Sequence, residues 1–406
     1  MAHAPHAAPV LACALLVAAG CGPGRRDVPA FSTRDSAGVV IADNIVAPVE
    51  PGPWTLSADP VLQIGEVTGQ EAYLFARIRG VVRLSDGRIA VADNRAPDLR
   101  IFGADGRHER TFGRKGGGPG EFQSPSILGV LPGDTIVVVD GGLRRISLFH
   151  PDAGFIRSAT PDDDVPGYLL PVGMFASGAV VDEQTVLPDN PEDGYGRRPV
   201  EYRVVSLDGE LVSDMGRFSG YEVVMASQED GGLTQVITGN APFGKSPAAA
   251  VRGDRFYYGA QDTWEIRVLR PDGSVERIIR WNREPAAVTD AQLAAFIENK
   301  LSNLPDFNLA RRYRRLYRDA PVPERHPAYG SLFEDRLGWL WVEETRLSDD
   351  APYRWTILDP AGRVAGAIDL PPRFRLEDVG ADYVLGCWVD ELGVNYVRMY
   401  ALSRPE

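Results

Sequence analysis

Cysteine, histidine and lysine are scarce in this 406-residue chain: three cysteines, five histidines and, among 43 basic residues, only Lys115, Lys245 and Lys300. Cys13 and Cys21 lie in or at the end of an apolar N-terminal stretch, so Cys387 alone is left for the folded body and an intrachain disulfide is excluded. Cys387 itself sits in the apolar run Tyr383 to Val389 and reads as a buried, inert thiol. His108, His150 and His326 are the only histidines past that stretch, and the first two fall in or beside outer hairpins, which gives a transition-metal centre little to stand on. A Gly-x-Ser-x-Gly elbow is missing, as is any α/β segment that might hold a nucleophilic triad. Positive charge is also in deficit. The net charge of −13 repels a phosphate backbone, so nucleic acid is not an expected partner.

Long apolar runs are missing too. Pro9 to Gly20 is too short to span a bilayer and fits the hydrophobic part of a secretory signal. It ends in Leu16-Val17-Ala18-Ala19-Gly20-Cys21, which resembles a bacterial lipobox, with Ala18 where that motif usually has Leu and with His3 and His6 in place of Lys or Arg. The resemblance implies a signal over 1–20, a lipid on Cys21, a tether over 21–36, and export to the periplasmic or cell-surface side of a membrane. An ordinary small-residue cleavage site is the alternative.

What the chain has in abundance is turns, with 43 Gly and 32 Pro, and a repeat. Ile89, Val91, Asp93, Ile101 and Phe102 are echoed 47 residues later by Ile136, Val138, Asp140, Leu148 and Phe149. Each copy spans two strands and a tight turn, and a period of this size selects four-stranded propeller blades. Five turns mark five blades: Asp105-Gly106, Asp152 to Gly154, Asp208-Gly209, Asp272-Gly273 and Asp359 to Gly362. A sixth blade is expected from both ends of the chain, with strands from Phe374 to Leu402 completed by Pro60 to Ile64, because the Ile64-Gly65 segment parallels Phe112-Gly113 at a blade's end. The expected fold is therefore all-β, a six-bladed β-propeller over 37–406 closed by its terminal strands.

Two stretches interrupt the repeat. Ser219 to Pro247 reads as a long loop over one face. Pro285 to Tyr329 reads as a helical insertion, with Thr289 and Gln292 as a capping-box pair and apolar positions at helical spacing. Its second helix would carry Arg311, Arg314, Arg315 and Arg318 on one face, a solvated surface or a dock for an acidic partner or lipid headgroups.

The run Phe112 to Phe122 with Pro125, together with Ile89 to Asp93 and Arg100-Ile101-Phe102, resembles the NHL-type repeat. The chain as a whole is similar to bacterial six-bladed β-propeller lipoproteins related to NHL proteins, over roughly Ser36 to Leu402. That resemblance implies a fold and an exported location and leaves the biochemical role open. Gly113 to Gly120 lacks a Gly-Lys-Ser/Thr ending and reads as an inter-blade turn, not a phosphate loop. Asp93 and Asp140 lack a dense calcium-ligand loop and are expected to bind turn amides. Arg79, Glu334, Asp335 and Asp378 are the candidate binding residues at the channel rim.

The expected function is a monomeric, non-catalytic binding or scaffold module at the cell envelope, with no cofactor or metal and with an envelope protein, peptide or glycan as ligand. A metal-dependent hydrolase or lactonase using the channel is the alternative, and sensing of carbohydrate or peptide by the helical insertion a third.

Overall fold

A computed structural model describes residues 1, 30–45, 54–165, 167–186, 194–230, 233–302, 304, 306–318, 322–348 and 350–405. The lipobox and Cys21 lie outside these. Six sheets follow one another along the chain, antiparallel except where one N-terminal strand joins the fourth. Their inner strands are Ile78–Arg83, Pro125–Leu131, Pro171–Met174, Ala248–Arg252, Tyr329–Glu334 and Phe374–Val379, which define blades one to six. Each is followed outward by its blade's second, third and fourth strands.

Blades one and two are the regular copies. In blade one, Ile89–Asp93 pairs with Asp98–Phe102; in blade two, Thr135–Asp140 pairs with Arg145–His150. Nearly all these residues are buried, because a blade's middle strands are covered on both faces by neighbouring blades. Among the described residues, six apolar clusters fill the six interfaces between neighbouring blades. One cluster joins Tyr383, Leu385 and Cys387 of blade six to Ile89, Val91 and Phe102 of blade one, so the ring is closed. Burial there pushes the Cys387 thiol up to about 11, consistent with an inert core position.

Closure uses the strands expected for it. Asn395–Ser403, the third strand of blade six, pairs with Leu62–Ile64 and, further along, with Thr55–Leu56. The Asp93 and Asp140 carboxylates bind turn amides: Asp93 accepts from the N–H groups of Ala76, Arg77, Arg95 and Ala96, and Asp140 from those of Gln123, Ser124 and Leu143. Each carboxylate ties the blade's opening turn to its second turn. Asp182 occupies the same register in blade three, opposite the first inner-strand residue Pro171, and accepts from the Leu170 N–H at 2.6 Å.

Two expectations change. The tether cannot extend to Ser36, because Phe31–Ser36 is a strand paired antiparallel with Val39–Asn44. Val39–Asn44 in turn lies parallel to Val275–Trp281, the fourth strand of blade four, where Ala42 adds to the apolar cluster between blades four and five. Asn44 clamps the hairpin to blade five, donating to the Gly362 carbonyl at 2.9 Å and accepting from the Val364 N–H at 3.0 Å.

Ser219 to Pro247 is not a loop. Leu211–Asp230 runs through blade three's outer edge and turns back as Leu233–Asn240, pairing from Val223↔Asn240 onward. Apolar Val223, Val224 and Met225 give this segment a face to bury.

The helical insertion forms α1 (Asp290–Ser302) and α2 (Phe307–Arg318). Thr289 and Gln292 make the reciprocal capping box, the Gln292 N–H donating to Thr289 Oγ1 and the Thr289 N–H to Gln292 Oε1 at 3.0 Å. The insertion does not stand alone. Leu316 and Tyr317 of α2 bury against Val224 and Ala241 of the blade-three hairpin, so the two interruptions of the repeat form one cap with its own small core.

Candidate binding channel

Strand direction alternates within a blade, so inner strands begin and fourth strands end on one face, here called the top. The hairpin extension and both helices leave from top-face ends, which places the cap on that side.

The inner strands line the channel, and five of the six break register once: around 79–80 in blade one, at Leu128, at Val172, at 330–331 and at Glu377. Ala248–Arg252 of blade four pairs without a break. A bulge leaves its residue out of the ladder and redirects the side chain. Arg79 and Glu377 are such residues, and they supply charge to the waist of the channel. The bulge in blade one needs Gly80, whose φ of +114° suits only glycine and whose absent Cβ lets the Ile127 carbonyl approach to 2.7 Å of where that atom would lie.

Below the waist is a chamber of about 780 Å³, lined from all six blades and carrying Arg83, Arg252, Glu334, Arg336, Glu377 and Asp378. Asp378 is fully engaged. It accepts from Arg336 Nε at 2.9 Å, from the Tyr383 hydroxyl at 2.9 Å and from the Arg83 N–H at 3.2 Å. Asp335 does not face the chamber. It is completely buried behind it and accepts from the Leu337 and Trp339 N–H groups, Trp341 Nε1 and the Arg404 guanidinium.

Glu334 differs from both. It is 7% exposed, and its Oε2 has no hydrogen-bond partner. Burial pushes its pKa up to about 7, against the pull of nearby Tyr257, Arg255 and Arg252 and with a further push from Asp335.

Above the waist is a second chamber of about 550 Å³ between blades one, two and three. Arg77 and Arg79 line it, two residues apart along one chain segment, with Ser124, Leu170, Glu183 and Tyr221 facing them. Glu183 has one oxygen on the Tyr202 hydroxyl at 2.7 Å and the other on the Tyr221 hydroxyl at 2.6 Å. Burial and these contacts push both phenols up. Arg79 is pulled down, first by burial and then by the charges of Arg77 and Arg375, with Glu377 offsetting.

The four expected rim residues are therefore not one site. Arg79 belongs to the upper chamber, Glu334 and Asp378 to the lower one, and Asp335 to the structural layer behind it. On α2, Arg311 and Arg314 are exposed; the side chains of Arg315 and Arg318 lie outside what the structure describes. Arg77, Glu183, Tyr221 and Arg336 were not singled out from sequence. For Arg77 a signal existed: Arg77 and Arg79 have the two-residue spacing that puts both on one side of an extended segment.

Residues 68–165, which contain the 47-residue echo, match a family model described as a 6-bladed β-propeller. The chain is a six-bladed β-propeller. The NHL-like reading of its repeats agrees with that. No curated protein sequence matches the propeller.

Among solved structures, it is similar to a candidate exported protein from Bacteroides fragilis, with 13% identity, 90% of this chain and 99% of that one covered, and a TM-score of 0.48. It is also similar to a calcium-binding protein, regucalcin, from Agrobacterium tumefaciens, with 11% identity, 83% and 94% covered, and a TM-score of 0.38. A third is virginiamycin B lyase from Staphylococcus aureus, in a catalytically inactive form with quinupristin, with 10% identity, 86% and 88% covered, and a TM-score of 0.37.

Proposed function

We propose that this protein is a non-catalytic binding propeller of the bacterial cell envelope, exported, held to the membrane by a lipid on Cys21, and recognising an envelope peptide, glycan or protein segment through its channel. One observation carries the channel reading. Of the carboxyls lining the lower chamber, Asp134, Glu377 and Asp378 are held by the protein's own donors, while Glu334 keeps a buried oxygen without a partner. A ligand hydroxyl or amide would satisfy that oxygen. Both chambers fall in the size range of small-ligand sites.

The alternative of a metal-dependent hydrolase needs several carboxylates free to converge on an ion, and three of the four here are committed to arginine, amide and hydroxyl partners. Exposed Arg311 and Arg314 on α2 are the proposed dock for a partner protein.

Thermal melting with calcium, zinc and chelator tests the binding reading. Unchanged melting is expected, because a metal bound only by the folded state would raise stability; a chelator-induced drop would overturn it. Mass spectrometry of the mature N-terminus is expected to show lipid-modified Cys21. Unmodified Cys21, or cleavage elsewhere, would overturn the anchor.

A further inference from the structure

We propose that the upper chamber is a site for a small organic anion, whose carboxylate or phosphate is held by Arg77 and Arg79. This deepens the binding reading and rests on it. Among the described residues neither guanidinium has a hydrogen bond or an ion pair, whereas Arg336 holds Asp378 and Arg375 holds Glu377. Arg77 and Arg79 thus stand on one wall of a concave chamber without a directly paired anion, and the repulsion between them is an electrostatic cost that a bound anion would reduce.

The carboxylate that lines the chamber, Glu183, makes no ion pair with either arginine. Both its oxygens are occupied by Tyr202 and Tyr221 on the far wall. A planar guanidinium pair suits an oxyanion presenting two or three acceptors.

The remainder of the ligand is indicated by the rim. Leu170 lines the chamber and is 50% exposed, and Tyr168 beside it is 73% exposed. An apolar rim next to paired cations fits a ring or short apolar body bearing the acid, and does not suit a free inorganic ion alone. Arg79 lies in the bulge at 79–80, where it is out of the ladder and free to line this chamber.

Titration at constant ionic strength with phenyl phosphate, benzoate and the neutral control phenol tests the assignment, read by calorimetry at 25 °C and by melting. Saturable binding of either acid, with phenol at least about tenfold weaker, is expected, and the stronger acid identifies the headgroup. R77Q and R79Q should each weaken binding about tenfold or more, whereas R107Q, at an exposed arginine in the outer turn of blade one, should leave it unchanged. Both chamber arginines are exposed and unpartnered, so the variants should melt like the wild type. If one melts early, calorimetry on R77K/R79K decides, because lysine keeps the charge and loses the planar fork. Weakened binding there supports the site, and undiminished binding overturns it. Equal binding of acid and phenol, or acid binding that survives R77Q/R79Q, also overturns it. Metal-insensitive melting and a lipidated Cys21 would still stand in that case, so its failure is separable from failure of the broader reading.

Discussion

Glu334 shows how one side chain can record what its surroundings lack. A carboxyl with pKa about 7 keeps its proton in the folded state between about pH 4.5 and 7, while the unfolded chain gives it up. Its contribution to stability therefore falls as pH rises through that window and is flat above it. Glu334→Gln, neutral at every pH, should gain stability over the wild type progressively from about pH 4.5 to 7, reaching a plateau on the order of 3 kcal/mol. Urea unfolding across that range checks it; a pH-independent difference would mean that the carboxyl finds compensation when it ionises. Asp93 and Asp140 are the opposite case. They were legible in sequence because their partners are the amides of turns that recur with the repeat. Glu334 could be seen only as an acid near an inner strand, since an orphaned oxygen depends on residues from blade four that no local pattern links to it.

Among elements, the strands of blades one and two were readable because both faces of each are buried, which enforces the same residue types at the same spacing. The bulges were not readable: a bulge is a relation between two strands, and Arg79 or Glu377 alone carries no mark of it. Ser219 to Pro247 looked like a loop for a related reason. Beyond blade three's edge this hairpin is covered on one side by α1 and α2, so its composition mixes polar and apolar residues in a way that seems irregular until its partner is known. The cap predicts its own behaviour. Tyr317 is buried and stacks near Phe296 and Tyr313 at ring separations of 6.0 and 5.9 Å. Tyr317→Ala should open the cap without opening the ring, since its core is separate from the six inter-blade clusters. Hydrogen exchange should accelerate in α1, α2 and the hairpin while protection in blades one and two is retained; uniform acceleration would show that cap and ring unfold together.

At the scale of the whole molecule, the closing strand is anchored by the chain's last arginine. Arg404 reaches the buried Asp335 at 2.8 Å and also donates to the Gly380 and Ala381 carbonyls, tying the end of the last strand to blades five and six. Its guanidinium also lies 5.0 Å from the centre of the Trp54 ring, which belongs to the opposite end of the chain. Arg404→Ala leaves a fully buried carboxylate short of its cation and should destabilise the fold by about 3 kcal/mol. A lowered urea midpoint in every spectroscopic probe would show that the ring opens as a unit. A drop confined to tryptophan fluorescence would limit the effect to the seam.

The hairpin Phe31–Ser36 and Val39–Asn44 fixes where the chain departs from the ring. It adds to the outer edge of blade four, and Phe31 pairs with Asn44, which lies opposite Trp281 at the top-face end of that edge. From Cys21 to Ala30 the backbone can reach at most about 30 Å. A lipid on Cys21 would thus moor the propeller by its rim, like a wheel held by its tyre, with the outer edge of blade four kept within that reach of the bilayer.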